Sequence, residues 1–307
     1  MSTVFVAGSI NMDVVARAAR FPKIGETVLG SAVHFIPGGK GANQAIAAAK
    51  SGARTALIGR LGQDAFGARL KDFLGQQGVD LKHVTITAKA YTGTAIITVA
   101  NADNTIVVVP GANALVDPSD VAVPVVAKGD VLVSQFEIPA ATIEAFFARG
   151  RAAGATTILN PAPMTAFNRN LLALTDIMVL NETELATLAG VDVNADDDNA
   201  KFIQFAGSLR PSKDHSVCVT LGSRGAIAVV QDEAIVIPGR VVTPLDTTGA
   251  GDCFVGALAA RLAGGAHIRG ALAYANAAAS ISVQRMGAGP SMPTVSEVEA
   301  VMTSSSI

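Results

Sequence analysis

The segment Val131-Leu-Val-Ser134, followed by the Ala-rich stretch Pro139–Ala153 and by Thr156-Thr-Ile-Leu159, decides the fold class of this chain. The first short run is almost wholly apolar and the second is rich in β-branched residues, which is typical of strands buried on both faces. The stretch between them has the length and composition of a helix. A helix between two such strands predicts a parallel pair joined by a crossover, so we expect an α/β fold.

The same alternation continues along most of the chain. It predicts further strands at Val4–Ala7, Thr55–Ile58, Ile177–Leu180, Val217–Thr220 and Ala226–Val230. It predicts further helices at Lys40–Ser51, Phe66–Gln77, Glu182–Ala189, Ala200–Leu209, Gly251–Ala263 and Ile268–Arg285. A mostly parallel sheet covered on both faces follows, with its ligands bound outside the carboxyl ends of the strands.

Two segments, residues 13–36 and 91–110, interrupt this alternation. Their β-like runs, Asp13–Ala18 with Thr27–Phe35 and Thr92–Ala100 with Thr105–Val109, follow one another without helices. We therefore expect a small antiparallel β-sheet that stands off the parallel core as a lid or a dimer interface. The 307 residues fit a single domain, 1–307, with this appendage.

The composition excludes several classes of protein. The formal net charge of -2 without a basic run argues against a nucleic-acid partner, and no apolar run approaches the roughly 18 residues of a membrane span. Cys218 and Cys253 lie far apart and predict small buried residues in a reducing compartment, so we expect a cytoplasmic protein.

The loop Asp246-Thr-Thr-Gly-Ala-Gly-Asp252 carries the clearest chemical signal. A strand-like run, Arg240–Thr243, precedes this loop, and we expect it to form a strand. Small residues at the start of a helix expose backbone N–H groups, and the helix dipole adds to them, which predicts an anion hole. Asp252 is placed to accept a proton from a hydroxyl group held there. The alternative is a glycine-rich turn in which Asp252 only favours the first helical turn. A Walker A motif is excluded, because no Gly-Lys-Ser/Thr follows.

Six motifs together resemble the ribokinase (pfkB) family of carbohydrate kinases. The loop just described, with Phe254 and Gly256, matches the C-terminal signature of the family. The others follow the family's order along the whole chain: Gly8-Ser-Ile-Asn11-Met-Asp13, Gly38-Gly-Lys-Gly-Ala-Asn43-Gln44, Asn160-Pro-Ala-Pro163, Asn181-Glu-Thr-Glu184 and Thr220-Leu-Gly-Ser-Arg-Gly225. The resemblance implies a ribokinase-like three-layer sandwich with a small antiparallel β lid, and a homodimer that pairs through its lids.

The resemblance also implies roles for single residues around the sugar. It makes Asp252 the general base and places the anion hole at Gly249, Ala250 and Gly251. It implies that the sugar is bound by Asn11, Asp13, Gly39, Lys40, Asn43, Glu137 and Asp252. Alone, Gly38–Gly41 fits an ordinary helix start, and Asp13 and Glu137 fit surface acids. Lys40 could reach either the sugar or a phosphate.

Nucleotide and ion sites are implied in the same way. ATP would contact Asn181, Thr220, Gly222, Gly225, Gly251 and Asn276, where small residues allow close approach. Asn276 alone also fits an ordinary residue of a core helix. Asn181 and Glu184 would order a hydrated Mg²⁺, although they also fit a helix capping box. A monovalent cation, K⁺, would be bound mostly through backbone carbonyls at Asp246, Thr248, Ser282, Arg285, Gly287 and Ser291.

The expected reaction is transfer of the γ-phosphoryl group of ATP to O5 of D-ribose. A kinase for 2-deoxyribose, fructose, another sugar or a nucleoside remains open, since the sequence does not show how each hydroxyl is bound. A non-catalytic sugar or nucleotide sensor on the same fold is the alternative from another class. Such a sensor would be expected to lose the base or the anion hole, and this chain retains both motifs.

Overall fold

The predicted alternation of strands and helices is found in the computed structural model, which describes residues 2–101, 103–164, 168–194 and 197–303. Its strands are β1 (Thr3–Ala7), β2 (Asn11–Ala18), β3 (Gly30–Gly38), β4 (Arg54–Gly62), β5 (Asp80–Thr87), β6 (Gly93–Ala100), β7 (Asp103–Val109), β8 (Val131–Gln135), β9 (Thr156–Asn160), β10 (Ile177–Asn181), β11 (Ser216–Thr220), β12 (Gly225–Val230) and β13 (Glu233–Pro238). Its α-helices are α1 (Lys40–Lys50), α2 (Ala65–Gln76), α3 (Ala140–Ala153), α4 (Arg169–Ala173), α5 (Glu182–Ala189), α6 (Asn199–Ser208), α7 (Ala250–Ala263), α8 (Ile268–Ser282) and α9 (Val295–Thr303).

Nine strands form the main sheet, in the order β13-β12-β11-β10-β9-β8-β1-β4-β5. All neighbours are parallel except β11–β12 and β12–β13, which are antiparallel. The parallel strands end together at one edge, so the loops that follow β1, β8, β10 and β11 meet there.

Helices cover both faces of this sheet. Val4 and Val6 of β1 pack on the face that α1, α2, α7, α8 and α9 cover, whereas Phe5 and Ala7 pack on the face of α3 and α4. Further along the sheet, α5 and α6 cover the second face. Helix α7 is apolar on nearly all sides because it lies between the sheet and its neighbouring helices, and Asp252–Ala260 are all buried. The predicted three-layer α/β sandwich is therefore confirmed.

A second sheet of four strands, in the order β3-β2-β6-β7, forms the predicted lid. Its two outer pairs, β2–β3 and β6–β7, are antiparallel, as expected. The inner pair, β2–β6, is parallel. Both inner strands start after the carboxyl ends of parallel core strands, β1 and β5, and therefore run in the same direction.

Some elements differ from the sequence-based expectation. The strands β5 and β13 and the helices α4 and α9 were not predicted. The strand expected at Arg240–Thr243 is wrong: these residues belong to none of the strands in the described part of the chain, and Arg240, Val241 and Val242 line a cavity instead. Cys218 and Cys253 are both free and buried, as predicted, and burial raises the pKa of each thiol to about 12. No helix among the described residues is both long and apolar enough to cross a bilayer.

Candidate active site

The predicted site residues converge where the carboxyl ends of the core strands meet the N-termini of α1 and α7. Asn11 lies just beyond β1, and Glu137 just beyond β8, while Asn181 and Thr220 end β10 and β11. Lys40 begins α1, and Asp252 lies in the first turn of α7. The fold therefore brings both halves of the chain to one edge of the sheet.

The start of α7 depends on a glycine. Gly249, the residue before the helix, has a φ of 76°, and a Cβ built on it would lie 2.7 Å from the Cβ of Ala288. The N–H of Cys253 is the first to bond back into the helix, to the carbonyl of Gly249 at 2.8 Å. The N–H groups of Gly251 and Asp252 precede it and have no carbonyl within the helix to accept them. A Cβ on Gly251 would meet nothing within 4 Å, so this backbone faces open space.

Asp246 holds the loop that precedes α7. Its carboxylate accepts hydrogen bonds from the N–H of Thr248 and the N–H of Gly287, each at 2.9 Å. These bonds lower the pKa of Asp246 against the opposing effect of burial, which is the largest single influence. The loop is thus fixed to the segment that follows α8.

Two side-chain amides hold the carboxylate of Asp252, which is buried. Nδ2 of Asn43 donates to one oxygen at 3.0 Å, and Nε2 of Gln44 donates to the other at 2.9 Å. Because a carboxylate only accepts, both amides must present their nitrogen to it. Asp252 is therefore hydrogen-bonded to α1, more than 200 residues away in the chain.

Gln44 continues this contact into a chain of amides. Its Oε1 accepts from Nε2 of Gln135 at 2.6 Å, and its Nε2 also lies 3.1 Å from Oδ1 of Asn160. Asn160 in turn donates to the carbonyl of Val179 at 3.0 Å. Gln44 and Asn160 lie within two of the six family motifs, but neither was predicted as a site residue. The only available signal was their place beside predicted site residues.

Asn11, Asp13 and Glu137 are three of the residues predicted to bind the sugar. Glu137 accepts hydrogen bonds from Oγ of Ser9 and from the N–H of Lys40, so the start of α1 fixes it. Burial, the nearby Glu137 and then Asp252 raise the pKa of Asp13 from 3.8 to about 7. Ser9 was not predicted as a site residue, although it lies in the motif Gly8–Asp13.

The ammonium of Lys40 lies among three carboxylates. Asp252 contributes most to raising the pKa of Lys40, and Glu137 and Glu184 add to it, while burial opposes them. Burial raises the pKa of Glu184, and Lys40 counteracts this. Lys40 therefore interacts both with Glu137, predicted to bind the sugar, and with Glu184, predicted to order Mg²⁺. These interactions favour neither the sugar nor a phosphate alone as the ligand of Lys40.

A cavity of about 570 Å³ lies beside the start of α7. Five of the predicted nucleotide residues line it: Thr220, Gly222, Gly225, Gly251 and Asn276. Its other walls are largely apolar, from Val241, Val242, Pro244, Phe254, Ala279 and Val283. Asn276 donates to the carbonyl of Pro238 at 3.0 Å, which leaves its side-chain oxygen as an acceptor. The cavity suits a flat apolar base with polar edges.

A smaller cavity adjoins the first and shares Thr220, Thr247, Ala250 and Gly251 with it. Lys40, Asn181, Glu184 and Asp252 also line it. Asn181 and Glu184 form a full capping box on α5, so the structural alternative for this motif is confirmed. Because only one oxygen of Glu184 is used there, the pair also fits a hydrated Mg²⁺ with few protein ligands.

The residues predicted to bind K⁺ lie in three neighbouring segments. Asp246, Thr248 and Gly287 are joined directly by hydrogen bonds, and the N–H of Arg285 donates to the carbonyl of Ser282 at 3.0 Å. Within the described ranges, no group of three or more His, Cys, Asp or Glu side chains could hold a metal. The donor set, carbonyls and one carboxylate, fits a monovalent cation better than a transition metal.

Comparison with known proteins agrees with this geometry. The sequence model of the pfkB family, described as carbohydrate kinases, matches residues 1–295. The chain is 37% identical to ribokinase from Haemophilus influenzae over 301 residues, covering 96% of each chain. It is 37% identical to ribokinase from Bacillus subtilis over 305 residues, covering 99% of this chain and 100% of the relative. The solved structure of Arabidopsis thaliana ribokinase complexed with ribose and ATP superposes with a TM-score of 0.89 at 33% identity, covering 98% of this chain and 99% of that one.

Proposed function

The chain belongs to the pfkB family of carbohydrate kinases, and from that premise we propose that it phosphorylates D-ribose at O5 with Asp252 as the base. ATP-dependent phosphorylation of ribose is the activity that the family, the ribokinase relatives and the ribose- and ATP-bound neighbour support. The observation that carries the catalytic assignment is the buried Asp252 carboxylate, held by two amides at the start of α7.

Each substrate has a matching region of the site. The apolar cavity near Asn276 takes the adenosine of ATP, and the smaller cavity beside Lys40 takes its phosphates. Ribose lies between Asp252 and the polar groups of Asn11, Asp13 and Glu137. Carboxylates and amides in several directions suit a small molecule with many hydroxyl groups. Gly39, Lys40 and Asn43 complete this sugar site.

The reaction is an in-line displacement at the γ-phosphorus. Asp252 accepts the proton of the O5 hydroxyl as the bond from O5 to phosphorus forms. The bond from phosphorus to the β–γ bridging oxygen breaks at the same time, and its electron pair leaves with ADP. The products are ribose 5-phosphate and ADP, and Asp252 later returns the proton to solvent.

Backbone N–H groups stabilise the charge that develops on the transferred group. The first turn of α7, from Gly249 through Ala250 to Gly251 and Asp252, presents them together with the positive end of the helix dipole. The ammonium of Lys40 lies beside Asp252 and adds a positive charge near the attacking oxygen. Such fixed groups need no rearrangement during the reaction.

Two ions complete the proposal. Mg²⁺, when bound with ATP, would neutralise phosphate charge, and Asn181 and Glu184 would hold its water shell. K⁺ would be held by the segments that contain Asp246, Thr248, Ser282, Arg285, Gly287 and Ser291, next to the anion hole. Asp246 already fixes this loop through two backbone N–H groups, so a cation there would stabilise the geometry of the anion hole.

The lid sheet serves two purposes in this proposal. One of its faces, which carries Asp13, closes over the sugar and excludes water, so that ATP is not hydrolysed. Its exposed aliphatic residues pair with a second copy of the chain to form a homodimer. We place the enzyme in the cytoplasm, where ATP is available and the two free thiols, Cys218 and Cys253, would stay reduced.

The Asp252→Asn variant tests the catalytic assignment. It keeps the shape of the side chain but cannot accept the proton, so kcat should fall by about 10²- to 10⁴-fold. The dissociation constant for ATP, measured by calorimetry, should stay within about threefold. Carbon-13 NMR of the wild-type product should show phosphorus coupling at C5. A variant that retains more than about a tenth of kcat would refute Asp252 as the base.

A further inference from the structure

Asn113 lies where the chain crosses between the core and the lid. Strand β2 starts at Asn11, β6 starts at Gly93, and β7 ends at Val109, shortly before the turn Gly111–Leu115 that contains Asn113. The side chains of Asn113 and Asn11 are both buried. Three crossings of the chain therefore meet around one amide, although no motif of the sequence analysis included it.

The hydrogen bonds of Asn113 determine the orientation of its amide. The N–H of Ile10 donates to Oδ1 of Asn113 at 3.0 Å, and a backbone N–H requires an acceptor. Nδ2 of Asn113 therefore lies on the other side, where it donates to the carbonyl of Ile10 at 3.3 Å. Both backbone groups of Ile10 are bound, so the amide cannot reverse without losing two bonds.

This orientation determines the next amide in turn. Nδ2 of Asn113 also donates to the side chain of Asn11 at 2.7 Å, so the atom of Asn11 that faces it must be Oδ1. Nδ2 of Asn11 therefore lies on the side of the Asn11 amide that faces away from Asn113, where it can donate to another group. Asn11 and Asp13 are two residues apart on β2, so their side chains lie on the same face of the lid sheet.

Gly93 makes this arrangement possible. It pairs with Asn11 in the parallel β2–β6 ladder. A Cβ on Gly93 would lie 2.2 Å from Nδ2 of Asn113 and 2.3 Å from Oδ1 of Asn11. Any side chain at this position would displace both amides. The absence of a side chain on Gly93 therefore leaves the space in which the amides of Asn113 and Asn11 meet.

We propose that Asn113 is a positioning residue for sugar recognition, which fixes the Asn11 amide so that Nδ2 of Asn11 donates to a hydroxyl oxygen of the sugar. The inference rests on the proposed sugar site. The inference adds that the hydroxyl oxygen facing Asn11 accepts a hydrogen bond from Nδ2. The O–H of the same hydroxyl group can then donate to a neighbouring carboxylate such as that of Asp13. A sugar without an oxygen at that position would leave the Asn11 donor without a partner, which is a basis for selectivity.

The test measures kcat and the KM values for ribose and ATP in two variants. Asn113→Asp still accepts from Ile10 but places an acceptor against Oδ1 of Asn11, and Asn113→Ser is a smaller change if the first variant folds poorly. Both should raise the ribose KM, by about tenfold in Asn113→Asp. The kcat and the KM for ATP should change by less than about threefold. Unchanged ribose KM, or an equal rise of both KM values, would overturn the inference.

A double-mutant cycle separates this inference from the function on which it rests. If Asn113 acts through Asn11, then Asn113→Ser should change the ribose KM by less than about twofold in an Asn11→Ala background. Independent, multiplicative effects would overturn the positioning role while leaving the sugar site intact. An Asn11→Ala variant with wild-type ribose KM would instead contradict the sugar site itself.

Thr92→Val is the matched control at the same junction. Oγ1 of Thr92 accepts from the N–H of Gly62 at 3.0 Å and donates to Asp64 at 2.9 Å, and neither hydrogen bond involves Asn11. The variant should lower the melting temperature but leave the ribose KM unchanged. An equal rise of ribose KM in Thr92→Val and Asn113→Asp would show that any loosening of the junction has this effect, and would overturn the specific role of Asn113.

Discussion

At the scale of single residues, the chemistry of this site depends on the partners of its buried carboxylates. Asp252 is held by Asn43 and Gln44, whose amides each donate to one of its oxygens and fix the orientation of the carboxylate. Asp13 lies in a different environment, because burial and the charges of Glu137 and Asp252 raise its pKa to about 7. Without substrate, Asp13 is therefore only partly ionised at neutral pH, whereas a polyol could donate hydrogen bonds that favour its ionised form.

Asp13 should make the stability of the free enzyme depend on pH. Its pKa is about 7 in the folded protein and near 3.8 in the unfolded chain, so only the folded state holds the proton between these values. The free energy of unfolding should therefore fall as pH rises from about 4 to about 7. The Asp13→Asn variant has an amide that cannot ionise, so its melting temperature minus that of the wild type should increase between pH 5 and pH 8. A difference that stays constant or decreases would contradict the pKa of Asp13.

Gln44 should affect the rate more than the binding of either substrate. Gln44→Met keeps the volume of the side chain but removes its donor to Asp252, so the base loses one of its two positioning amides. We expect kcat to fall by about 10- to 100-fold, with the KM for ATP unchanged.

Gln135→Met is the control for Gln44, since the side-chain amide of Gln135 donates to Gln44 and not to Asp252. Both variants disturb the same buried network and should lower the melting temperature. Only Gln44→Met should lower kcat strongly. If the two variants reduce kcat equally, the amide chain acts through general stability and not through the orientation of the base.

At the scale of elements, the start of α7 is where fold and chemistry meet. Gly249 needs a positive φ and has Ala288 against it, so Gly249→Ala should shift the first turn of the helix. A non-glycine residue in this conformation costs about 1–2 kcal/mol, and the contact adds to that cost. We expect kcat to fall at least about tenfold, measured by ADP release, because the N–H groups lose their alignment.

Gly265 offers a matched control just beyond the other end of α7. It has a φ of 81°, and a Cβ on it would meet nothing within 4 Å. Gly265→Ala should therefore lower the melting temperature by backbone strain without changing kcat. Equal losses of activity in the two variants would show that the stability of α7, and not its first turn, limits the reaction.

The sequence predicts those elements whose residues share one environment. Strands such as Val131–Gln135, buried on both faces, are apolar along most of their length and were found to within one residue. Strand β13 was missed because only Ile235 and Ile237 among its residues are buried, and the pattern is short. The composition of residues 240–243 is typical of a strand, but they belong to no strand in the described part of the chain, and only the three-dimensional structure shows this.

The residues of the site, like the strands, are predicted only where the local sequence pattern indicates them. Motifs identified Asp252, Lys40 and Asn181 because glycines and helix starts surround them. Asn113 and Gln44 donate hydrogen bonds to partners about 100 and 208 residues away, and a sequence pattern carries no sign of such contacts. Long-range hydrogen bonds made by side-chain amides are therefore the part of this site that only the structure provides.

At the scale of the whole molecule, the lid leaves an apolar surface that a partner could cover. Strand β7 is exposed along its length, with Ile106 at 54% and Val107 at 61% exposure, and it forms one edge of the lid sheet. Phe35 on β3 and Ile96 on β6 are also exposed. An exposed apolar edge strand favours association with a second sheet.

A charged substitution on this edge should separate the proposed dimer. Ile106→Lys combined with Val107→Lys places a charge on each face of β7, so light scattering should show the mass of one chain instead of two. Val125→Lys is the control, since Val125 is 85% exposed but lies outside the lid, and it should leave the mass unchanged. A wild-type protein that is already monomeric at micromolar concentration would contradict dimerisation through the lid.

The most direct test of the proposed function is ADP release from Mg·ATP in the presence of K⁺, with D-ribose, 2-deoxyribose, fructose and adenosine as separate acceptors. We predict that kcat/KM is highest for D-ribose, and that Asp252→Asn lowers kcat by at least about 10²-fold. A clear preference for another acceptor would contradict the ribose site at Asn11, Asp13 and Glu137. Absence of release with all four acceptors would contradict the kinase activity itself.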